Sequence, residues 1–189
     1  MPTHRQQSFI AQLETASHPI NFLGELVGSP VKVALVRSGG GAFSGAIQYR
    51  DDSHFLGHQA PANQAMVPLT LYFRHTPEGY KLYVRSPGPQ HGKRLGANET
   101  GLLGAFPVES CPPSTFSLLN PNGRPISHEH LNNLRLPIHL KLNNGSLTHR
   151  RTIHDSKQIY LGTKGGAPLE ITLNILELNA PYLSEPNEI

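Results

Sequence analysis

The stretch that decides the fold reads YKLYVRS at residues 80–86, GKRLGA at 92–97 and GLLGAF at 101–106. These short runs are rich in apolar and aromatic residues, and Gly and Pro lie between them, which predicts strands joined by turns. The central tripeptide, Arg94-Leu95-Gly96, has two counterparts, Phe55-Leu56-Gly57 and Tyr160-Leu161-Gly162. The sequence therefore contains three copies of one unit: a strand, a turn, an x-Leu-Gly strand, a loop and an apolar strand.

The residues around the tripeptides follow the same order in each unit. A strand and a Gly-, Pro- or Asn-rich turn precede each tripeptide, and an apolar run follows it. The strands we predict with this pattern lie at 31–36, 45–49, 69–73, 80–84, 115–119, 138–142 and 170–176. One unit cannot bury its own apolar face, so three units must share a core. The second interval between tripeptides is the longer one, which predicts an insertion at about 120–134 with a helical turn at 128–134.

This unit resembles the repeat of the β-trefoil superfamily, of the fascin-like, agglutinin-like or ricin-B-lectin-like kind. Those repeats read as a strand, a turn, then Gly-Lys-Tyr-Leu and a small residue. Phe55 and Tyr160 retain the aromatic residue, whereas Arg94 replaces it in the second unit. The resemblance covers about 31–178 and implies an all-β chain folded as a β-trefoil. The alternative is a β-sandwich in which the Leu-Gly repeats are coincidental.

The ends of the chain read differently from its centre. Ser8 suits a helix N-cap, and Phe9, Ile10 and Leu13 share one face at helical spacing, so we predict a short helix at 8–15. The expected organisation is an N-terminal extension with this helix at 1–30, a β-trefoil domain at 31–178 and an extended C-terminal tail at 179–189.

Composition narrows the class of protein. The chain has 189 residues, 37% of them hydrophobic, with 18 Gly and 17 Pro, which suits one domain of many short strands. Its net charge of +3 comes from scattered Lys and Arg, so we expect no nucleic-acid partner. No run approaches the ~20 apolar residues of a membrane span. The single cysteine, Cys111, and the lack of an apolar leader predict a cytoplasmic protein, or one released without a classical signal peptide.

Signatures of catalysis and of cofactor binding are weak. His128-Glu129-His130 lies beside turn residues without a thiolate cluster, which favours a solvated loop over a metal site. Gly39-Gly40-Gly41 lacks the Lys-Ser/Thr ending of a phosphate loop and is interpreted as a hairpin turn. Cys111 has no evident base, and no Gly-x-Ser-x-Gly elbow is present. We therefore expect no enzyme, no cofactor and no metal, although the 11 His keep histidine or metal chemistry as a third alternative.

The resemblance implies a binding function, because trefoil proteins often hold sugars in one shallow pocket per repeat. A carboxylate or amide holds the sugar hydroxyls there, and an aromatic ring covers the apolar face. The candidate ligand-binding residues are Tyr49, Asp51, Asp52 and His54 in the first repeat, Asn98 and Glu99 in the second, and His154, Asp155 and Tyr160 in the third. The chain has no Trp and lacks the Gln-x-Trp motif of ricin-like lectins.

The predicted function is a non-catalytic carbohydrate-binding, lectin-like module within a toxin or defence system, with a glycan or glycoprotein as partner. The alternative is a protein-binding β-trefoil, either actin-binding or inhibitor-like.

Overall fold

The computed structural model describes residues 2–35 and 47–181, and these residues form an all-β protein. The strands are β1 (Phe9–Glu14), β2 (Ile20–Phe22), β3 (Lys32–Leu35), β4 (Gln48–Asp51), β5 (Leu56–His58), β6 (Leu69–Thr76), β7 (Gly79–Val84), β8 (Arg94–Ala97), β9 (Leu103–Phe106), β10 (Phe116–Leu119), β11 (Arg135–Leu142), β12 (His149–Ile153), β13 (Ser156–Gly162) and β14 (Ile171–Leu178). The described part also has one α-helix, α1 (Leu23–Val27), and 3-10 helices at Val108–Ser110 and His128–Asn132. The second 3-10 helix lies where the helical turn is predicted.

The helix predicted at 8–15 is wrong, because this segment is strand β1. Phe9, Ala11 and Leu13 are buried and alternate with half-buried neighbours, which is the period of a strand. β1 pairs with β14 on one side and with β6 on the other. Ser8 caps no helix, since its hydroxyl donates to the His4 carbonyl and accepts from the His75 amide. Residues of the predicted N-terminal extension thus lie in the middle of the largest sheet.

Six strands of this sheet form a closed set of antiparallel pairings. β14 pairs with β1, β1 with β6, β6 with β7, β7 with β10, β10 with β11, and β11 with β14. The β7–β10 contact is one residue pair, Tyr80 opposite Phe116. Buried side chains from all six strands, among them Phe9, Leu71 and Leu140, belong to one hydrophobic cluster. We refer to these strands as the six-strand ring.

The Leu-Gly pair of each tripeptide lies on a strand, as the sequence predicts, and Phe55 immediately precedes its strand β5. β5 pairs with β2, β8 with β9, and β13 with β12, giving three two-stranded units. Leu56, Leu95 and Leu161 are all buried in the main core. The units also contact one another through pairs of single residues, Tyr160 with Gly57 and Phe55 with Gly104.

The first unit contains an additional segment between β2 and β5, and this segment includes α1, β3 and β4. The described part of the strand predicted at 31–36 contains β3, which pairs only with β4 within the described residues and is not part of the six-strand ring. The Gly39-Gly40-Gly41 turn and the start of the strand predicted at 45–49 lie outside the described residues. Of the predicted tail at 179–189, residues 179–181 are described, and Ala180 is buried with its amide donating to Ser8.

Candidate functional site

Asp52 and Tyr160 form a hydrogen-bonded pair inside the protein. Both residues have no exposed surface, and the Tyr160 hydroxyl donates to Asp52 Oδ2 at 2.5 Å. Arg50 completes the group with two bonds to the same carboxylate, Nε to Oδ1 at 2.6 Å and Nη2 to Oδ2 at 2.9 Å. The pairing joins the end of β4 to β13, two segments far apart in the chain.

This environment determines the charge of the group. Burial and the bond to Asp52 raise the pKa of Tyr160 to about 12, so its phenol stays protonated at neutral pH. The bond to Asp52 raises the pKa of Arg50. Because the Tyr160 hydroxyl and the Asp52 carboxylate bond to each other in the interior, the two residues stabilise the fold. Both residues were predicted to contact a ligand, and the structure places them in the interior, bonded to each other.

Asp51 and His54 lie in a surface groove of about 420 Å³, between the end of β4 and the β8–β9 hairpin. The groove is lined by Asp51, Ser53, His54, Gln90, Lys93, Ala105, Phe106 and Pro107. The amide of Ala105 donates to the carbonyl of His54 at 3.0 Å, which holds the two walls together. We call this surface the His54 groove.

Aromatic rings form one side of the His54 groove. The His54 ring packs against Phe55 at a centroid distance of 4.2 Å and meets Phe106 edge-on at 5.4 Å. Burial is the main cause that lowers the pKa of His54, so its imidazole is neutral at neutral pH. A neutral imidazole offers one hydrogen-bond donor and one acceptor.

Charged and amide groups complete the His54 groove. Hydrogen bonds from the side chain and backbone of Ser53 lower the pKa of Asp51, which keeps this exposed carboxylate ionised. Lys93 Nζ donates to Gln90 Oε1 at 2.9 Å, which positions the ammonium group and the amide together. The groove thus combines an acceptor carboxylate, a donor ammonium and an amide with aromatic surface.

The other predicted residues do not join this groove. Tyr49 is 59% exposed on β4. Asn98 Oδ1 accepts the amides of Thr100 and Leu102 and stabilises a turn, while the neighbouring Glu99 is exposed. His154 and Asp155 contact each other at 3.0 Å in the exposed β12–β13 turn. The candidate residues therefore occupy separate places, and only Asp51 and His54 share the groove.

Sequence reasoning missed Gln90, Lys93 and Phe106. They belong to the second unit, and only the contact between β9 and the segment at His54 brings them to Asp51. No local pattern marks that contact. A second pocket of about 500 Å³, lined by Arg85, Glu25 and Met66 among others, shares Gln90 with the His54 groove and was also not anticipated.

Within residues 2–35 and 47–181, no group of three or more His, Cys, Asp or Glu side chains is arranged to hold a metal ion. In the same ranges, no helix has the length and apolar character that crossing a membrane requires.

Comparison with known proteins identifies no relative. No protein-family model matches the sequence, and no significant match occurs among curated proteins or solved structures.

Proposed function

We propose that the chain is a β-trefoil that binds carbohydrate without catalysis, and that the His54 groove is its sugar-binding site. The architecture is supported by three consecutive units, each contributing two strands to the six-strand ring and one antiparallel pair of strands beside it. One observation carries the functional proposal. Carboxylate, ammonium, amide and aromatic groups converge in one groove of about 420 Å³.

The groups that line the groove can make the two kinds of contact that a sugar requires, hydrogen bonds to its oxygens and packing against its apolar face. The Asp51 carboxylate accepts hydrogen bonds from sugar hydroxyls, and Lys93 and Gln90 donate to sugar oxygens. The rings of His54 and Phe106 cover the apolar face of a pyranose, as aromatic residues do in concave ligand sites. Hydrogen bonds involving a charged group contribute about 1.5–3 kcal/mol, so loss of the Asp51 charge should weaken binding about tenfold or more.

The test is a glycan array with tagged protein that has been treated with EDTA. We expect reproducible binding to a related set of sugars, and a loss of about tenfold or more in Asp51→Asn and His54→Ala. Asp155→Asn is the matched control, because it removes an exposed carboxylate from a turn outside the groove. Flat arrays at high protein concentration, or an equal loss in all three variants, would refute the proposal.

A specific observation favours protein binding as the second candidate function. Ile47 and Tyr49, two residues apart, are 66% and 59% exposed, and Tyr49 lies on the β3–β4 ribbon, which pairs with no other strand in the described part of the chain. Exposed apolar side chains on one face of a ribbon suit contact with a protein partner. Capture of a defined protein partner that is lost in Ile47→Ser and Tyr49→Ser, with no dependence on glycan, would favour this function.

A further inference from the structure

Arg94 on β8 and Arg85 just after β7 lie beside Tyr83, which belongs to a hydrophobic cluster separate from the main core. Arg94 is directly opposite Tyr83 in the β7–β8 pair, so both side chains project from the same face. Arg85 follows β7, and its guanidinium carbon lies 5.4 Å from the centre of the Tyr72 ring. Tyr72 is itself the cross-strand partner of Tyr83. Arg85 and Arg94 therefore flank one pair of tyrosines, and we call these two residues the arginine pair.

The arginine pair makes no ion pair within the described residues, although Glu25 lines the same pocket as Arg85. The Nε atom of each arginine is buried without a hydrogen-bond partner in the described part of the chain. Arg94 Nη2 donates to the Pro112 carbonyl at 3.2 Å, and the Arg94 side chain also hydrogen-bonds the Cys111 thiol. A buried donor without a partner is costly, and a bound anion that draws the guanidinium groups toward it would remove that cost.

The repeat itself indicates that Arg94 is not required for packing. The equivalent residues of the other two units, Phe55 and Tyr160, are aromatic and 4% and 0% exposed. An aromatic residue serves the core in those units, whereas Arg94 is half-buried and brings a permanent positive charge. The substitution thus adds a cation that the core does not use.

The arginine pair borders the proposed sugar site. Lys93, in the wall of the His54 groove, immediately precedes Arg94, and Phe106, in the same wall, is the cross-strand partner of Arg94. Arg85 lines the neighbouring pocket, which shares Gln90 with the groove. A sugar chain that extends from the groove past Gln90 would enter the pocket that Arg85 lines.

We propose that the arginine pair is an oxyanion site, and that the ligand is an acidic glycan carrying sulfate or carboxylate groups. This inference rests on the carbohydrate-binding function proposed above. Guanidinium groups suit the task because their planar donors match the oxygens of carboxylate and sulfate in pairs. Desolvation around Nε strengthens the attraction relative to that of an exposed charge.

The experiment measures affinity for one oligosaccharide backbone in neutral, carboxylated and sulfated forms, with inorganic sulfate and a short DNA duplex as further probes. The variants are Arg85→Gln, Arg94→Gln and the double change. Arg124→Gln is the matched control, because it removes the same charge from an exposed turn. We expect an acidic form to bind at least tenfold more tightly than the neutral form, with each arginine contributing about tenfold.

The outcomes separate this inference from the function on which it rests. Loss of the acidic preference in the double variant, with retention in Arg124→Gln, supports the arginine pair, and the preferred form shows whether sulfate or carboxylate is recognised. Equal affinity for neutral and acidic forms overturns the inference and leaves carbohydrate binding intact. Tighter binding of DNA through the same arginines overturns it in favour of nucleic acid. If no glycan binds, the proposed function fails, and thermal stabilisation by inorganic sulfate that requires both arginines would still support an oxyanion site.

Discussion

The buried bond between Tyr160 and Asp52 permits a precise prediction about stability. Tyr160→Phe deletes one hydroxyl and keeps the ring, which packs against Phe55 at a centroid distance of 6.2 Å and has no exposed surface. Asp52 retains its two bonds from Arg50 but loses its third donor. A hydrogen bond to a charged group contributes about 1.5–3 kcal/mol, so we expect the free energy of unfolding to fall by that amount. In a domain of this size the melting temperature should fall by about 3–12 °C.

Urea denaturation followed by circular dichroism measures this change. The dependence of unfolding free energy on urea should stay constant, because the variant exposes the same surface on unfolding. Tyr49→Phe is the matched control, since Tyr49 is 59% exposed, and its stability should stay within about 0.5 kcal/mol of the parent. A Tyr160→Phe protein within about 0.5 kcal/mol of the parent would refute the assignment of the pair as a stabilising element.

Three further predictions concern other parts of the structure. Gly162→Ala should destabilise the protein by about 1–3 kcal/mol, because the new Cβ would lie 2.7 Å from the Gly101 carbonyl oxygen. Gly166→Ala, with no atom within 4 Å of the new Cβ, is its control, and equal stability of the two variants in urea would contradict the close approach. Burial is the main cause that lowers the pKa of His58 in the folded protein. As the pH falls, the imidazole is therefore protonated in the unfolded chain before it is protonated in the folded protein. The stability that neutral His58 contributes above about pH 6.5 is lost as the pH falls below that value. An NMR titration measures the pKa of His58 in the folded protein, and a midpoint at or above 6.5 would contradict this prediction. Burial raises the pKa of the Cys111 thiol, so iodoacetamide should alkylate it more slowly in the folded protein than in urea at the same pH, and equal rates would count against its protection.

The strands around the tripeptides could be predicted because their signal is local. Leu56, Leu95 and Leu161 each sit in a short apolar run bounded by turn residues, and all three are buried. The segment at 8–15 was misassigned because Phe9, Ile10 and Leu13 also satisfy helical spacing. Its pairing with β6 and β14, which are distant in sequence, determines the strand, and such contacts leave no local mark.

In the candidate site, too, some residues could be predicted from the sequence and others depend on contacts between distant segments. Asp51 and His54 were nominated through the resemblance to trefoil repeats, in which a carboxylate or amide and an aromatic ring of each repeat hold a sugar. The sequence also selected Asp52, whose carboxylate the fold instead buries against Arg50 and Tyr160. Lys93 reaches the groove through packing of the β8–β9 hairpin, so no spacing rule could place it beside His54.

The central claim is that the His54 groove binds sugar, and chemical-shift mapping with a glycan selected from the array tests it most directly. We expect the largest backbone amide shifts on titration at Ser53, His54, Lys93 and Phe106, all of which line the groove. Shifts centred on Asn98 and Glu99 or on His154 and Asp155, or no saturable shifts at all, would contradict it.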